Sequence, residues 1–445
     1  MAFYPRKSVL NNNVSQPTAA FYSFGCRTNK EEIDAIASQF RANGYNIIYD
    51  EKRFASADFI IVNTCSVTQT SENKNVRFIN SIKKKYPQAK IVAAGCLAQQ
   101  SPQILKNADY IVGNVKKNEI FDIVVKEKNG IFIEDVNIRT ELKVPKTIEN
   151  PQISDRTRFS VKIQEGCASF CSYCIVPYLR GTPKSANFNE IVFLAKNAIS
   201  LGYNEIVLAG THIGQYRNGG KNFIDIASEI ISLNDRVRIR LSSMNPADCN
   251  EKLFEFMIKN PQICRHLHIS VQSLSSDILA LMNRKPAAVE KLFENLKKYR
   301  NSLPELNLGG DFLIGFPNES EKNFLETCEN ITKFGFNYGH VFSYSPRPNT
   351  PAAKMKNQIP EEIKKQRSVI LRELFVSQRQ NFANSQISKY GEIIIETDGE
   401  LNGITGNYLR VKGDKNPNFR KNQIVKVVLK KYNFADNSFY AEFVE

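Results

Sequence analysis

The chain reads as an α/β protein in three parts: an N-terminal parallel α/β domain, a central open six-unit (β/α) partial barrel and a small C-terminal β-barrel. Three observations predict this. Between residues 19 and 125, short apolar runs alternate with helical patterns, as in a parallel sheet covered by helices. After residue 157, strand–helix units repeat over about 190 residues, whereas a full eight-fold barrel usually takes about 250. The closing segments GEIIIETDG, GITGNYLRVKG, QIVKVVLKKYN and SFYAEFVE are short strands with glycine turns. The expected boundaries are 17–130, a linker at 131–152, 153–383 and 384–445.

Composition narrows the class. At 445 residues, 42% hydrophobic and 24% charged, the chain suits a globular protein with a large core. MAFYPRKSVLNNNVSQ offers no apolar signal segment, and no run of eighteen apolar residues exists, so a cytoplasmic protein without a membrane anchor is expected. In that compartment nine cysteines are thiols or metal ligands rather than disulfides. The net charge of +15 fits either a generally basic proteome or a polyanionic partner such as nucleic acid.

In the first part, AFYSFG (20–25) predicts a strand and KEEIDAIASQFRANG a helix stopped by Gly44. YNIIY and DFIIVNTC are strands, SENKNVRFINSIKKKY is a polar helix, and IVAAGC and DYIVGN are further strands. Cys26, Cys65 and Cys96 each fall at the carboxyl end of a strand, the edge where open α/β sheets gather ligands. They are either a shared metal centre or three buried structural thiols. Gly25 and Gly95 suit turns that present a ligand.

The stretch ELKVPKTIENPQISDRT is polar, with little periodicity, and forms the joint. RFSVKIQEG then predicts a strand that runs into EGCASFCSYC, whose Cys167, Cys171 and Cys174 are spaced C-x3-C-x2-C. Zinc sites usually draw four ligands from separated pairs, and no fourth Cys or His lies within fifteen residues on either side. Three thiolates suit an iron–sulfur cube, leaving one iron open to a substrate or cofactor. Five further helix–strand pairs follow, from NEIVFLAKNAISLG with NEIVLAGT to SEKNFLETCENITKFG with YGHVFSYS.

This spacing, with Tyr173 before the last cysteine and six βα units around it, resembles the radical S-adenosylmethionine enzymes. The resemblance implies a radical S-adenosylmethionine core in which the open iron is chelated by the cofactor's amino and carboxylate groups. Reductive cleavage then gives a 5′-deoxyadenosyl radical. GGDFLIGFPNES (309–320) resembles the family's segment near the cofactor, so Tyr173, Gly309, Gly310 and Asp311 are cofactor-binding candidates; a plain strand-to-helix turn is the other reading. No catalytic residue is assigned beyond the cluster ligands. HVFSYSPRPNTPAAKM, RHLHISVQSLSSDILALMNR and YLRGTPKS resemble segments of the methylthiotransferases. His266 and His268 share a strand face as a metal pair or, more simply, as packed lining. Cys249, Cys264 and Cys328 show no ligand spacing.

Between residues 410 and 431 eight Lys and Arg face Asp414 alone, with Tyr408 and Phe419 interleaved. Arg410, Lys412, Arg420, Lys421, Lys426, Lys430 and Lys431 are RNA-binding candidates through phosphates, with the aromatics stacking on bases; a solvated lysine-rich sheet is the plainer reading. TGNYLRVKG resembles the TRAM domain.

Cysteine domain, radical core and TRAM tail, in that order, resemble the methylthiotransferase family, which inserts sulfur into an unactivated C–H bond and methylates it. The resemblance implies two 4Fe–4S clusters, on Cys167, Cys171, Cys174 and on Cys26, Cys65, Cys96, and two S-adenosylmethionine molecules per turnover. It also implies a tRNA, an electron donor such as flavodoxin or ferredoxin, and a sulfur source. RLSSMNPAD (240–248) and GTHIGQY (210–216) look most like the branch acting on carbon 2 of N6-threonylcarbamoyladenosine 37, in tRNAs reading codons beginning with A. HISVQSLSS lacks the family's usual proline and glycine, and Asn318 stands where glycine is common. The alternatives are the isopentenyladenosine branch, the branch acting on a ribosomal-protein aspartate, and an RNA-binding redox sensor without turnover.

Overall fold

The computed structural model describes residues 16–25, 27–138, 141–144, 148 and 156–444, and for Arg27 the backbone only. They fall into two compact units, one running to Cys65 and resuming at Glu72–Glu134, the other made of Ser66–Ser71 and the chain from Asp135.

The first unit is built on β1 (Thr18–Ser23), β2 (Asn46–Ile48), β3 (Phe59–Thr64), β4 (Lys90–Gly95), β5 (Tyr110–Val112) and β6 (Gly130–Phe132), all parallel in the order β2-β1-β3-β4-β5-β6. Its strands are apolar on both faces because both are covered. Phe21, Ile61 and Val92 meet Ile33, Ile36 and Phe40 of α1 (Arg27–Ala42). Ala20, Val62 and Ile91 turn the other way, toward Ile79 and Ile82 of α2 (Gln69–Lys85) and Leu97 of α3 (Cys96–Gln100). α4 (Ile120–Lys126) adds Ile120 and Ile123 to the α1 side.

The second unit begins with six parallel strands, β7 (Phe159–Glu165), β9 (Glu205–Gly210), β10 (Arg238–Leu241), β11 (His266–Gln272), β12 (Asn307–Ile314) and β13 (Tyr338–Ser343). β8 (Lys184–Ser185) adds antiparallel to β7. The ladders run β10-β9-β7-β8 and β11-β12-β13, and single parallel bridges Ile239–Ile263 and Met244–Ile269 join them. Among the described residues β13 has one strand neighbour, so the barrel is open, as the count of units predicts. α5 (Val176–Arg180), α6 (Phe188–Ser200), α7 (Phe223–Leu233), α8 (Glu251–Lys259), α9 (Ser276–Leu281), α10 (Pro286–Tyr299) and α11 (Glu321–Phe334) connect the strands. Asn187, Asn222 and Ser320 cap α6, α7 and α11 with side-chain oxygens. α12 (Glu361–Gln386) lies along β13, where the missing side chain of Gly339 admits the Phe375 ring onto Phe312.

The tail is a closed barrel of β14 (Tyr390–Ile395), β15 (Glu400–Thr405), β16 (Arg410–Lys415), β17 (Ile424–Asn433) and β18 (Ser438–Val444), in the order β14-β15-β16-β18-β17. Val411, Val427, Phe439 and Ala441 fill it. No helix among the described residues is long and apolar enough to cross a membrane.

Candidate metal centre

The cysteine triplet hangs from the carboxyl end of β7. Gly166 makes the turn with φ of +81°, and a side chain there would collide with the backbone of Thr182, so the sequence needs glycine before Cys167. The loop is then pinned from both sides. Cys167 N–H donates to Gly181 O (3.1 Å), Ser172 N–H to Met282 O (2.9 Å) and Asn283 Nδ2 to Phe170 O (3.0 Å). Phe170 is held at φ +43°, a left-handed conformation that a bulky residue keeps only where its surroundings enforce it.

Other strand ends supply partners. His212, just after β9, places Nδ1 3.7 Å from Cys167 Sγ and 3.5 Å from Ser169 Oγ, and Nε2 2.7 Å from Asp248 Oδ2 beyond β10. Arg284, after α9, donates from Nη1 to Cys171 Sγ (3.5 Å) and to the Tyr173 hydroxyl (3.4 Å). Burial disfavours the Cys167 thiolate, but hydrogen bonds from His212 and Ser169 outweigh it and lower the thiol. Burial, with the neighbouring Cys171 and Cys167, pushes Cys174 up to about 12. His212 is raised to about 9, because Asp248 and Cys167 outweigh its burial. The three neighbouring thiols, Cys171 buried and Cys167 and Cys174 half-buried, repel one another as thiolates; a cationic iron core relieves that conflict, so the donor set fits a 4Fe–4S cluster.

In the first unit, β1, β3 and β4 are neighbours, and Thr64 pairs with Gly95, so Cys65 and Cys96 follow directly paired positions. Cys65 is buried, and its N–H donates to Asn75 Oδ1 (3.2 Å). Asn114 Nδ2 reaches Cys96 Sγ at 3.8 Å. A Cβ on Gly25 would lie 2.7 Å from Cys65 Sγ, so the turn after β1 abuts Cys65. Cys26 itself lies outside the described residues.

Comparison with known proteins decides the family. Residues 18–115 match "Uncharacterized protein family UPF0004", and residues 161–331 match "Radical SAM superfamily". The chain is 33% identical over 401 residues to the threonylcarbamoyladenosine tRNA methylthiotransferase MtaB of Aquifex aeolicus, covering 88% of this chain and 96% of that one. The chain belongs to the radical S-adenosylmethionine methylthiotransferases. It is also 30% identical over 400 residues to a tRNA-2-methylthio-N(6)-dimethylallyladenosine synthase of Lachnoclostridium phytofermentans, covering 85% and 84%. Among solved structures it resembles in fold a radical S-adenosylmethionine methyltransferase, TsrM, of Kitasatospora setae, with a TM-score of 0.55, 12% identity and 76% and 77% coverage.

Other sequence-predicted residues of this methylthiotransferase fall as follows. Gly309 leaves the space that the Tyr338 ring occupies, and Gly310 sits against Ile269 and Phe336. Asp311 Oδ1 lies 3.0 Å from His268 Nε2 and 3.3 Å from His340 Nδ1. Burial opposes its ionisation, but the two imidazoles hold the carboxyl well below the usual range. His266 and His268 are buried and share the Tyr338 hydroxyl, at 2.6 and 3.1 Å, while His268, Asp311 and His340 bring ligand atoms within 4.8 Å of one another. Cys249 and Cys264 are buried and Cys328 is raised to about 11, chiefly by burial.

On the tail, Arg410, Lys412, Arg420, Lys426, Lys430 and Lys431 are exposed and Lys421 is half-buried. The two aromatics expected to stack on bases do not lie there. Phe419 is a core residue of the small barrel, and Tyr408 stacks on His266, with ring centroids 4.4 Å apart. The aromatics that do face outward are Tyr390, Phe434, Tyr440 and Phe443. The sequence reading also missed His212, Asp248 and Arg284 as partners of the triplet. All three lie inside segments that carry the family resemblance, GTHIGQY, RLSSMNPAD and RHLHISVQSLSSDILALMNR.

Proposed function

We propose that this enzyme methylthiolates carbon 2 of N6-threonylcarbamoyladenosine at position 37 of tRNAs reading codons beginning with A, giving 2-methylthio-N6-threonylcarbamoyladenosine. The observation that carries the reading is the 33% identity to a relative named as a threonylcarbamoyladenosine tRNA methylthiotransferase, running across 96% of the relative's length. Cys167, Cys171 and Cys174 would hold one 4Fe–4S cluster, and Cys26, Cys65 and Cys96 a second. When bound, the clusters supply electron transfer to S-adenosylmethionine and an open iron for sulfur, with two S-adenosylmethionine molecules used per turnover. Around the first set, Asp248 orients His212 against Cys167, and Arg284 steadies Cys171 and Tyr173. Tyr173, Gly309, Gly310 and Asp311 would line the cofactor. The exposed lysines and arginines of the tail would take tRNA phosphates. An electron donor such as flavodoxin or ferredoxin and a sulfur source complete the reaction, in the cytoplasm.

A second reading, the dimethylallyladenosine substrate, is favoured by the 30% identity to a synthase of that name. Nucleoside mass spectrometry of tRNA from cells lacking this protein separates the two. The expected loss is 2-methylthio-N6-threonylcarbamoyladenosine alone; loss of the dimethylallyl derivative instead would establish the second reading.

A further inference from the structure

The tail carries the basic surface, yet it is seated at the end of the core opposite the triplet. Glu205, Arg238, His266 and Asn307 are the first residues of β9, β10, β11 and β12, and all four strand ends meet the tail. Arg238 donates to Glu392 O (2.9 Å) and Ile404 O (3.2 Å), and Arg240 to Thr405 O (3.1 Å) and Gly406 O (3.2 Å). Asn307 Nδ2 donates to Asn407 O (2.9 Å) and Asn204 Nδ2, one residue before β9, to Asn422 O (2.7 Å). Tyr408, at φ +67°, lays its ring between His266 and the Arg240 guanidinium.

One carboxylate organises this seat. Glu205 is fully buried and accepts from Arg238 Nη2 (2.6 Å) and Arg240 Nε (2.6 Å), which aims both planar forks at the tail's carbonyls. Only Ile387, Ser388 and Lys389 separate α12 from β14, so the tail has little chain on which to swing. The eight residues of β12 span about 23 Å at the usual strand rise, with the tail beyond one end and the triplet beyond the other end of the same barrel.

We propose that Glu205, Arg238 and Arg240 latch the tail rigidly to the amino end of the barrel, so that it grips the body of the tRNA and not the loop holding the modified nucleotide. The inference rests on the reading of the tail as a tRNA-binding surface. Its consequence concerns substrate size. An RNA that touches both β17 and the triplet face must be a structured molecule longer than the barrel is deep. An anticodon stem-loop alone reaches one site; a full tRNA reaches both, and the rigid joint sets the effective concentration of the second contact.

The test uses the cluster-loaded enzyme, with full-length tRNA and the isolated anticodon stem-loop as probes in anisotropy titrations. The parent should bind full-length tRNA at least about tenfold more tightly than the stem-loop. An apolar triple variant, Glu205→Met with Arg238→Met and Arg240→Met, should abolish that preference while leaving stem-loop affinity and kcat on the stem-loop unchanged. Tyr408→Gly, which suits the left-handed backbone and disturbs no buried charge, should reduce the preference in the same direction. Lys426→Ala with Lys430→Ala and Lys431→Ala should weaken full-length binding alone. Equal affinity of the parent for both RNAs overturns the proposal. So does a preference that survives in both latch variants; if the lysine variant loses it, the tail reading stands and the latch alone fails. A preference that survives the lysine substitutions removes the tail reading, and the latch with it.

Discussion

Gly214 has no room for a side chain, because a Cβ there would overlap the Asp248 carboxyl group. Its φ is ordinary, so the glycine is needed for space and not for backbone freedom. Gly214→Ala should push Asp248 off His212 and destabilise the core by about 1–3 kcal/mol, the usual range for overpacking. In thermal melts that is a fall of about 2–4 °C per kcal/mol for a domain of this size. An unchanged melting temperature would show that Asp248 moves freely and orients nothing. Other single residues were legible to different degrees. The positions of Cys65 and Cys96 were legible because each follows its own strand, a local signal. The His212–Asp248 pair was not, because it depends on β9 and β10 being neighbours, which nothing near either residue states. Asn318 departs from the family's glycine without conflict: it adopts φ +67°, a conformation asparagine tolerates, and its Oδ1 accepts from Asn357 Nδ2 at 2.8 Å.

Elements carry the electrostatics. RVRIRL reads in sequence as a strand, and two of its three arginines, Arg238 and Arg240, became a buried seat only because Glu205 stands beside them on β9. Removing that carboxylate charge by Glu205→Gln leaves two guanidinium groups short of a partner and should destabilise by about 3–5 kcal/mol near neutral pH. The effect has a pH signature. Burial works against the Glu205 charge, but Arg240 and Arg238 win and hold the carboxyl far below its ordinary 4.5. Its stabilisation is therefore complete above pH 4.5 and declines as pH falls below it. Denaturant melts of parent and variant should diverge fully at neutral pH and converge progressively in acid; a gap independent of pH would assign the effect to packing. On β17 a register shift between Leu429 and Lys431 turns Lys430 and Lys431 outward together. Arg410, Lys412, Lys415 and Lys430 pair with Glu396, Asp436, Glu400 and Glu442. Such exposed pairs are worth little and can be exchanged for phosphates. Replacing Lys426, Lys430 and Lys431 with Ala should lower the slope of log affinity against log salt by about 2–3, from roughly 0.7–0.9 per lost phosphate contact. A parental slope would place the RNA elsewhere.

At the scale of the molecule, the seating of the tail on the strand ends was not legible in the sequence, since it is made by residues 100 or more positions apart. The two units have separate apolar cores, and each carries its own set of three cysteines. Separate cores imply that either set can be emptied without unfolding the other. Anaerobic reconstitution of the parent should give about eight irons per chain, two cubes of four. Replacing Cys167, Cys171 and Cys174 with Ala should leave about four, held in the first unit. Replacing Cys26, Cys65 and Cys96 should also leave about four, with reductive formation of 5′-deoxyadenosine intact and the methylthio nucleoside absent. Iron counting, chromatography of 5′-deoxyadenosine and mass spectrometry of digested tRNA read the three quantities on the same preparations. Independence of the sites fails if the triplet variant holds no iron. The division of labour fails if the N-terminal variant still makes the methylthio nucleoside, or loses 5′-deoxyadenosine while its remaining cluster is spectroscopically whole.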